Sequence, residues 1–433
     1  MKIETEVIVR PGRNVRGSVR LPGDKSISHR YAMLAGIAEG PSRIENYSTG
    51  ADCASTLGCM RSLGVKWERK SEGGENTILI EGRGPELSAP SAPLDCGNSG
   101  STMRMLSGIV AGQRFASEMV GDESLSRRPM GRVITPLTAM GAQIASQGGL
   151  PPLGVTGGNL KAIDYTMPVA SAQVKSCLLF AGLFAEGETR VVEPLRTRDH
   201  GEVALRAFGA QLESKGKELK IRGGQRLKGL EACVPGDLSS AAFFLCAAAL
   251  FPGSQLMIPN LLMNPTRARL LDILTQIGLK ISVTELEEIH GELVGTLQVE
   301  GARLKGAAIS GADSAALIDE IPVLAAIAPY TEQGIEVRDA KELRVKESDR
   351  IAAMASNLRL MGANVEERED GLRIAGAQKL HGAQIDACGD HRIAMAFAIA
   401  ALRAEGETEI NGAESAAISY PAFFDTLEEL VGR

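Results

Sequence analysis

Residues 185–191 read Ala-Glu-Gly-Glu-Thr-Arg-Val, and residues 404–410 read Ala-Glu-Gly-Glu-Thr-Glu-Ile. Each follows a nearly all-apolar run, Cys177 to Ala185 in the first case and Ile393 to Leu402 in the second. The same junction occurring twice in one chain is the mark of an internal repeat. Similar apolar runs, Tyr31 to Ala38 and Phe243 to Leu250, place further copies.

A second marker sets the period. An apolar residue followed by Gly closes an amphipathic segment at Leu63-Gly64, Met140-Gly141, Phe208-Gly209, Ile277-Gly278, Met361-Gly362 and Val431-Gly432. The gaps are 77, 68, 69, 84 and 70 residues. That is too long for a solenoid unit and suits a small α/β subdomain.

Each unit opens with a polar cluster and continues into the apolar helix, a Gly turn and a short strand. An amphipathic helix follows: in the fifth unit Ile351, Met354, Leu358 and Met361 share one helical face. A hairpin closes the unit, as at 217–223 and 364–376. The sixth unit stops at Val431-Gly432-Arg433, where its hairpin is due. The chain opens with two strand-like segments, Glu6 to Arg10 and Val15 to Arg20, separated by Pro11-Gly12. This N-terminal hairpin is expected to complete the sixth unit. Both termini then lie in one domain, residues 1–21 plus 236–433, made of units four to six. Units one to three form an inserted domain, residues 22–235. The two crossovers look alike, Leu21-Pro22-Gly23-Asp24 and Val234-Pro235-Gly236-Asp237. The expected fold is α/β, with two similar domains of three βαβαββ units each, joined by a double crossover that can hinge.

Composition narrows the function. A chain of 433 residues with 44% hydrophobic and 23% charged residues is an ordinary globular protein of two or three domains. The net charge of −6 and 4% aromatic content argue against nucleic acid as a partner. Any anionic ligand must be held by local Lys and Arg clusters. The seven cysteines form no CxxC pair and read as scattered buried thiols of a reducing compartment. The five histidines are too dispersed for a zinc motif, so no metal is expected. Met1 to Arg10 has no apolar core of a signal peptide. The longest apolar stretch, Leu238 to Phe251, is too short to span a bilayer. The expectation is a cytoplasmic monomer with no membrane contact.

The polar clusters precede the same helix in every unit. In order they hold Lys25/Ser26/Arg30, Asn98/Gly100/Ser101/Arg104, Ser171/Gln173/Lys175, Asp237/Ser239, Asp319/Glu320 and Asp390/His391/Arg392. A helix N-terminus presents free N–H groups and partial positive charge, so it suits anions. Six such ends, three per domain, would face one another across a cleft. Lys, Arg and Ser there suit phosphates, and Asp and Glu suit proton transfer. Capping is the ordinary explanation for Asp237 and Ser239. It accounts for Ser26 too, but not for two bases one helical turn apart at Lys25 and Arg30. Gly97-Asn98-Ser99-Gly100-Ser101 is a phosphate-cradling type of loop without the Lys of a P-loop. The stretches Ser126 to Arg132 and Leu343 to Arg350 are unremarkable alone as solvated charge runs.

Taken together, these segments resemble the 5-enolpyruvylshikimate-3-phosphate synthases. The matching stretches are Pro-Gly-Asp-Lys-Ser-Ile-Ser-His-Arg (22–30), Gly-Asn-Ser-Gly-Ser (97–101), Arg-Pro-Met (128–130) and Ser-Ala-Gln-Val-Lys (171–175). So are Arg-Asp-His-Gly-Glu (198–202), Ile-Asp-Glu (318–320), Leu-Arg-Val-Lys-Glu-Ser-Asp-Arg (343–350) and Asp-His-Arg (390–392). The resemblance implies the enolpyruvyl transferase fold, an inside-out α/β barrel repeated in two domains. It implies transfer of an enolpyruvyl group from phosphoenolpyruvate to the 5-hydroxyl of shikimate 3-phosphate, with release of phosphate and without metal or organic cofactor. Carried over by position, Lys25, Ser26, Arg30, Ser171, Ala172, Gln173, Arg198, Asp319 and Lys346 would hold shikimate 3-phosphate. Lys25, Asn98, Gly100, Arg128, Gln173, Arg350 and Arg392 would surround phosphoenolpyruvate. Lys25, Asp319, Glu347 and His391 would move protons.

Departures place the chain within that family. Ala172 stands where many relatives have Ser, and Arg198 replaces a Ser/Tyr arrangement, as in the second class of the family. Ile418 stands where some members carry a phosphate-binding Lys, and Ser101 stands where Thr is frequent. Gly100 lacks the methyl that narrows the phosphoenolpyruvate pocket in some second-class members, so glyphosate is expected to enter. The sibling enzyme acting on UDP-N-acetylglucosamine uses a loop Cys, and residues 112–132 contain none. A non-catalytic anion-binding relative would be expected to lose Lys25, Asp319 or Glu347, and all three are present.

Overall fold

The computed structural model describes residues 5–72 and 75–432. The chain divides into two compact units. One takes the N-terminal segment through Pro22, Pro235–Glu288 and the chain from Leu293. The other takes Gly23–Val234 and Ile289–Glu292.

The repeat is visible in the sheets. In the third repeat, strand Asp164–Thr166 runs parallel to Glu188–Val192. Glu188–Val192 pairs antiparallel with Glu218–Arg222, whose other edge carries Leu212–Lys215. The same order of one parallel and two antiparallel pairings recurs in the sheet of Gly306–Ile309, Gly334–Val337, Gly371–Ile374 and Val365–Arg368. The first sheet borrows its parallel strand from far along the chain: Glu231–Cys233 lies beside Glu39–Glu45.

The N-terminal segments depart from expectation. They do not stay together as a hairpin closing the sixth unit. Strand Glu6–Val9 does join the sixth sheet, antiparallel to Thr408–Asn411. Strand Asn14–Ser18 instead heads the fourth sheet, parallel to Gln255–Leu262, with Val431–Gly432 on its other edge. The fourth repeat thus takes its parallel strand from the chain start, as the first takes its own from Glu231–Cys233, the strand just before the fourth.

The apolar runs are helices, and they are buried on all sides. Lys25–Ile37 is buried from Ile27 onward, and every residue of Leu238–Ala249 and His391–Ala401 is buried. A helix apolar all round lies inside its unit. Within the second unit the helices Gly100–Ala111 and Ala172–Gly182 pack closely because Gly108 has no side chain. A Cβ there would lie 2.1 Å from the Cys177 carbonyl oxygen.

The Gly markers stop helices for a conformational reason. Gly64, Gly141, Gly209, Gly278 and Gly362 all have φ between +88° and +117°. Only glycine enters that region freely, so it ends a helix where the chain must turn into a strand.

All seven cysteines are free thiols. Five are buried, but Cys233 is half-buried and Cys388 is exposed. The expectation of buried thiols therefore fails for Cys388, which sits in a turn before the helix His391–Ala401 with a left-handed backbone. Among the described residues no helix is long and apolar enough to cross a membrane, and no acidic, His or Cys cluster forms a metal site.

Candidate active site

In the unit built from Gly23–Val234, three helix N-termini carry the predicted residues. Asp24 caps the first, its side chain accepting from Ile27 N at 2.9 Å. Lys25 follows, and its Nζ donates to Asp52 Oδ2 at 2.8 Å. Asp52 lies in the first turn of helix Ala51–Ser62. Sequence reasoning passed over it, because one acidic residue at a helix start is common.

Arg30 lies one turn after Ser26 and is buried. Its Nη1 donates to the Ser26 carbonyl at 2.8 Å, and Nη2 and Nε reach Ser176 Oγ at 2.9 and 3.2 Å. Nη2 also points to the Ala172 carbonyl at 3.5 Å. Burial brings the Arg30 guanidinium down to about 10, partly offset by Glu202 and Asp24 and reinforced by the nearby positive charge of Arg198.

The loop before helix Gly100–Ala111 is tied to Arg128. Asn98 Oδ1 accepts from Arg128 Nη2 at 2.7 Å, and the Asn98 carbonyl accepts from Nη1 at 3.2 Å. Arg128 also donates to Ser124 Oγ at 2.9 Å, while Asn98 Nδ2 donates to Asp122 at 2.7 Å. Ser99 caps the helix, accepting from Thr102 N at 3.1 Å.

Gln173 completes this face. Its Oε1 accepts from Arg104 Nη1 at 2.9 Å, and its Nε2 donates to Ser101 Oγ at 2.8 Å. Arg104 is thus a second guanidinium above Gly100: a Cβ on Gly100 would lie 2.7 Å from Arg104 Nη1 and 3.6 Å from Arg128 Nη1. The sequence placed Arg104 in the right cluster without giving it a role. Ser171 caps the third helix, accepting from Val174 N at 3.4 Å.

Behind this face lies a buried ionic group. Lys175 Nζ is 2.7 Å from Glu202 Oε1 and 3.1 Å from Glu193 Oε2. Burial raises the Glu202 carboxyl above its usual value, against the pull of Lys175. His200, also buried, has Nδ1 2.7 Å from Glu292 Oε1.

The other unit holds the acidic set. Asp319 precedes helix Ile321–Ile327. Its Oδ1 is 3.7 Å from both Lys346 Nζ and Arg350 Nη1, and its carbonyl accepts from Arg392 Nη1 at 2.5 Å. Glu347 Oε2 accepts from Arg350 Nη2 at 2.6 Å. Asp390 takes Arg350 Nε at 2.8 Å and Nη2 at 3.2 Å. Burial works against the Arg350 charge, but Asp390, Glu347 and Asp319 outweigh it and raise its pKa. Asp390 also caps helix His391–Ala401 through Arg392 N at 2.9 Å and accepts from Ser348 Oγ at 3.1 Å. His391 is buried, with Nδ1 4.0 Å from Asp390 Oδ1. Lys346 is lowered below 10.5 by partial burial, which Asp319 opposes and Arg350 reinforces.

Asp237 does cap, accepting from Ser239 N at 2.9 Å. Ser239 does more than the sequence suggested: its hydroxyl bonds Glu320 and accepts from Arg267 Nη2 at 2.5 Å. Arg267 has no sequence signal: it stands in the short Asn264–Ala268 turn just before helix Arg269–Gln276, outside any of the polar clusters read from the sequence.

By itself, the cation bank of the unit built from Gly23–Val234 suits anions, and the carboxylate set of the other unit, braced by Lys346, Arg350 and Arg392, suits proton transfer. Comparison with known proteins gives the same direction. The model of the EPSP synthase (3-phosphoshikimate 1-carboxyvinyltransferase) family matches residues 9–427. The chain is 61% identical over 427 residues to a 3-phosphoshikimate 1-carboxyvinyltransferase of Koribacter versatilis (strain Ellin345), covering 99% of each. It is 56% identical over 424 residues to one from Solibacter usitatus (strain Ellin6076), covering 98% of this chain and 99% of the relative. A solved EPSP synthase from Acinetobacter baumannii superposes with a TM-score of 0.87 at 42% identity, over 98% of both chains.

Proposed function

The chain belongs to the EPSP synthase (3-phosphoshikimate 1-carboxyvinyltransferase) family, and from that premise we propose which of its side chains carry the reaction. The enzyme transfers the enolpyruvyl group of phosphoenolpyruvate to the 5-hydroxyl of shikimate 3-phosphate in the shikimate pathway.

Phosphoenolpyruvate carries about three negative charges and the shikimate phosphate about two. One unit pair at 4 Å is worth about 4 kcal/mol at an effective dielectric of 20. Several cations are needed to hold such anions together, and Arg offers bidentate capture. Lys25, Ser26, Arg30, Ser171, Ala172, Gln173 and Arg198 take the shikimate phosphate and ring, with Asp319 and Lys346. Lys25, Asn98, Gly100, Arg128, Gln173, Arg350 and Arg392 take phosphoenolpyruvate. The observation that carries this reading is Gln173. It follows Ser171 and Ala172 in the chain and donates to Ser101, next to Gly100, so it adjoins residues of both sets.

The chemistry is addition followed by elimination. The 5-hydroxyl loses a proton as its oxygen bonds C2 of the enolpyruvyl group, and the methylene carbon gains one. Loss of phosphate with removal of a methyl proton then restores the double bond. Each half needs an acid and a base in opposite roles. Asp319 stands among the candidates for these roles. Lys25, Glu347 and His391 complete the proton-transfer set. Arg392 and Arg350, bound to the Asp319 carbonyl and beside its carboxylate, fix the base relative to the anions.

The reading includes a cytoplasmic monomer needing no cofactor. The test is phosphate release from phosphoenolpyruvate by the purified protein, with shikimate 3-phosphate and, in parallel, UDP-N-acetylglucosamine as acceptor. Release that requires shikimate 3-phosphate supports it. Release with the nucleotide sugar alone, or none from folded protein, overturns it.

A further inference from the structure

His29 sits between Lys25 and Arg30 on the first helix, but no role is assigned to it above. Its side chain is fully buried. Nδ1 lies 2.7 Å from Thr56 Oγ1 on helix Ala51–Ser62. Thr56 Oγ1 lies 2.7 Å from Thr102 Oγ1 on helix Gly100–Ala111. Thr102 Oγ1 donates to Ser99 Oγ at 2.8 Å, with the Asp52 carbonyl a longer alternative at 3.4 Å. Thr56, Thr102 and Ser99 are as fully buried as His29.

A hydroxyl donates once. With the Thr102 proton on Ser99 Oγ or on the Asp52 carbonyl, Thr56 donates to Thr102 and His29 donates to Thr56 through Nδ1–H; the reverse order would put an N–H at Nε2, where no acceptor stands. His29 Nε2 is left as a lone-pair acceptor, and it is buried without a hydrogen-bond partner. A neutral imidazole tolerates that far better than a charged one. Burial, with Lys25 and Arg30 adding to it and Asp24 opposing, pushes the His29 pKa well below 6.5.

We infer that His29 is a positioning residue for the Gly97–Ser101 loop, acting through Thr56, Thr102 and Ser99. The chain ends on the residue that caps helix Gly100–Ala111. It therefore fixes where Asn98 and Gly100 stand and where the free N–H groups of that helix point. The inference rests on the reading of this loop as the phosphoenolpyruvate side. Hydrogen bonds in series inside a low-dielectric core reinforce one another, so breaking any link loosens the end.

Three variants and one spectrum test it. His29→Leu and Thr56→Val each raise KM for phosphoenolpyruvate about five- to tenfold, the effect of one misplaced hydrogen-bonding group. KM for shikimate 3-phosphate stays near that of the parent. The double variant is no worse than the worse single one, because one chain is broken twice. His29→Asn keeps an N–H donor and restores most of the affinity. Equal damage to both substrates, additive losses or no rescue by Asn overturns the inference. In case the variants fold poorly, nitrogen-15 spectra of the parent enzyme decide alone. A neutral ring protonated at Nδ1 from pH 5 to 9 supports the chain, and an Nε2–H tautomer or a titration near 6.5 rejects it. Asn98→Ala separates the premise: if it leaves KM for phosphoenolpyruvate unchanged, the loop reading fails, whatever the His29 spectrum shows.

Discussion

Arg350 Nε lies 2.8 Å from Asp390 Oδ2, and neither side chain reaches solvent. The pair joins the start of helix Arg350–Leu360 to the cap of helix His391–Ala401. It does two jobs. It holds the guanidinium whose other nitrogens reach Glu347 and Asp319, and it anchors the acidic cap. Removing one partner of a buried pair leaves the other charge unpaired, which costs about 3–5 kcal/mol. Asp390→Ala should therefore lower stability by that order in urea denaturation and also raise KM for phosphoenolpyruvate. A variant that melts like the parent would show that Arg350 finds enough compensation in Glu347 and Asp319.

The other unit has its own buried pair, and it yields a pH prediction. Lys175→Met strands Glu202 and Glu193 without their cation and should cost about 3–5 kcal/mol. Glu202→Gln behaves differently. The folded state holds the Glu202 proton to higher pH than the unfolded chain does, because burial raises this carboxyl above 4.5. The folded state thus binds more protons over that window, and stability falls as pH rises from 4.5 toward the folded value. Below 4.5 the effect vanishes, since both states are protonated. Glu202→Gln should flatten this part of the stability–pH curve, measured by denaturation at a series of pH values. An unchanged slope would mean that Lys175 fully offsets burial.

The fold class was legible because its marks are local. The apolar-Gly stops at Leu63-Gly64 and Met361-Gly362 each require a left-handed residue at a helix end, and glycine shows that requirement in the sequence. The destination of strand Asn14–Ser18 was not legible. Strands Glu6–Val9 and Asn14–Ser18 look alike, and only long-range pairing sends one to Thr408–Asn411 and the other to Gln255–Leu262. The same contrast holds in the sites. Lys25, Arg128 and Asp319 stand in dense polar motifs. Asp52 and Arg267 are single charges in ordinary surroundings, and what brings them to Lys25 and to Ser239 is tertiary packing.

Asp319 and Glu347 offer the sharpest separation of chemistry from folding. Neither is the main support of Arg350, since Asp390 remains when either is removed. Asp319→Ala and Glu347→Ala should both fold, with small shifts in melting temperature. Turnover should fall by about 10²- to 10⁴-fold, the range for losing a positioned acid or base. Wild-type turnover in either variant would take that residue out of the mechanism. A large fall in melting temperature with kcat intact would make it structural.

Lys346 gives a second pH prediction, this time on activity. Partial burial and the neighbouring Arg350 lower its pKa from 10.5, against the pull of Asp319. Only the protonated amine attracts a phosphate. The alkaline limb of kcat/KM for shikimate 3-phosphate, which reports groups on the free enzyme, should therefore begin below 10.5. Lys346→Arg keeps the charge to higher pH and should move that limb upward. A limb that does not move would show that Lys346 does not set it.

On the proposed assignment of Gly100 to the phosphoenolpyruvate side, this residue sets how much room that side leaves. A methyl at this position would meet Arg104 Nη1 at 2.7 Å and approach Arg128 Nη1 at 3.6 Å. The backbone there needs no glycine, so Gly100→Ala should fold normally and act through space alone. Arg104 is a flexible side chain and can retreat, but its Nη1 also holds Gln173 Oε1 at 2.9 Å. Retreat therefore loosens Gln173 and, through it, Ser101. The expected result is a modest rise in KM for phosphoenolpyruvate with a larger loss of glyphosate inhibition, since a ligand filling the pocket more tightly meets the methyl first. Steady-state inhibition against phosphoenolpyruvate measures both. Unchanged inhibition in Gly100→Ala would sink the steric account and move attention to Arg128, which touches the same loop through Asn98.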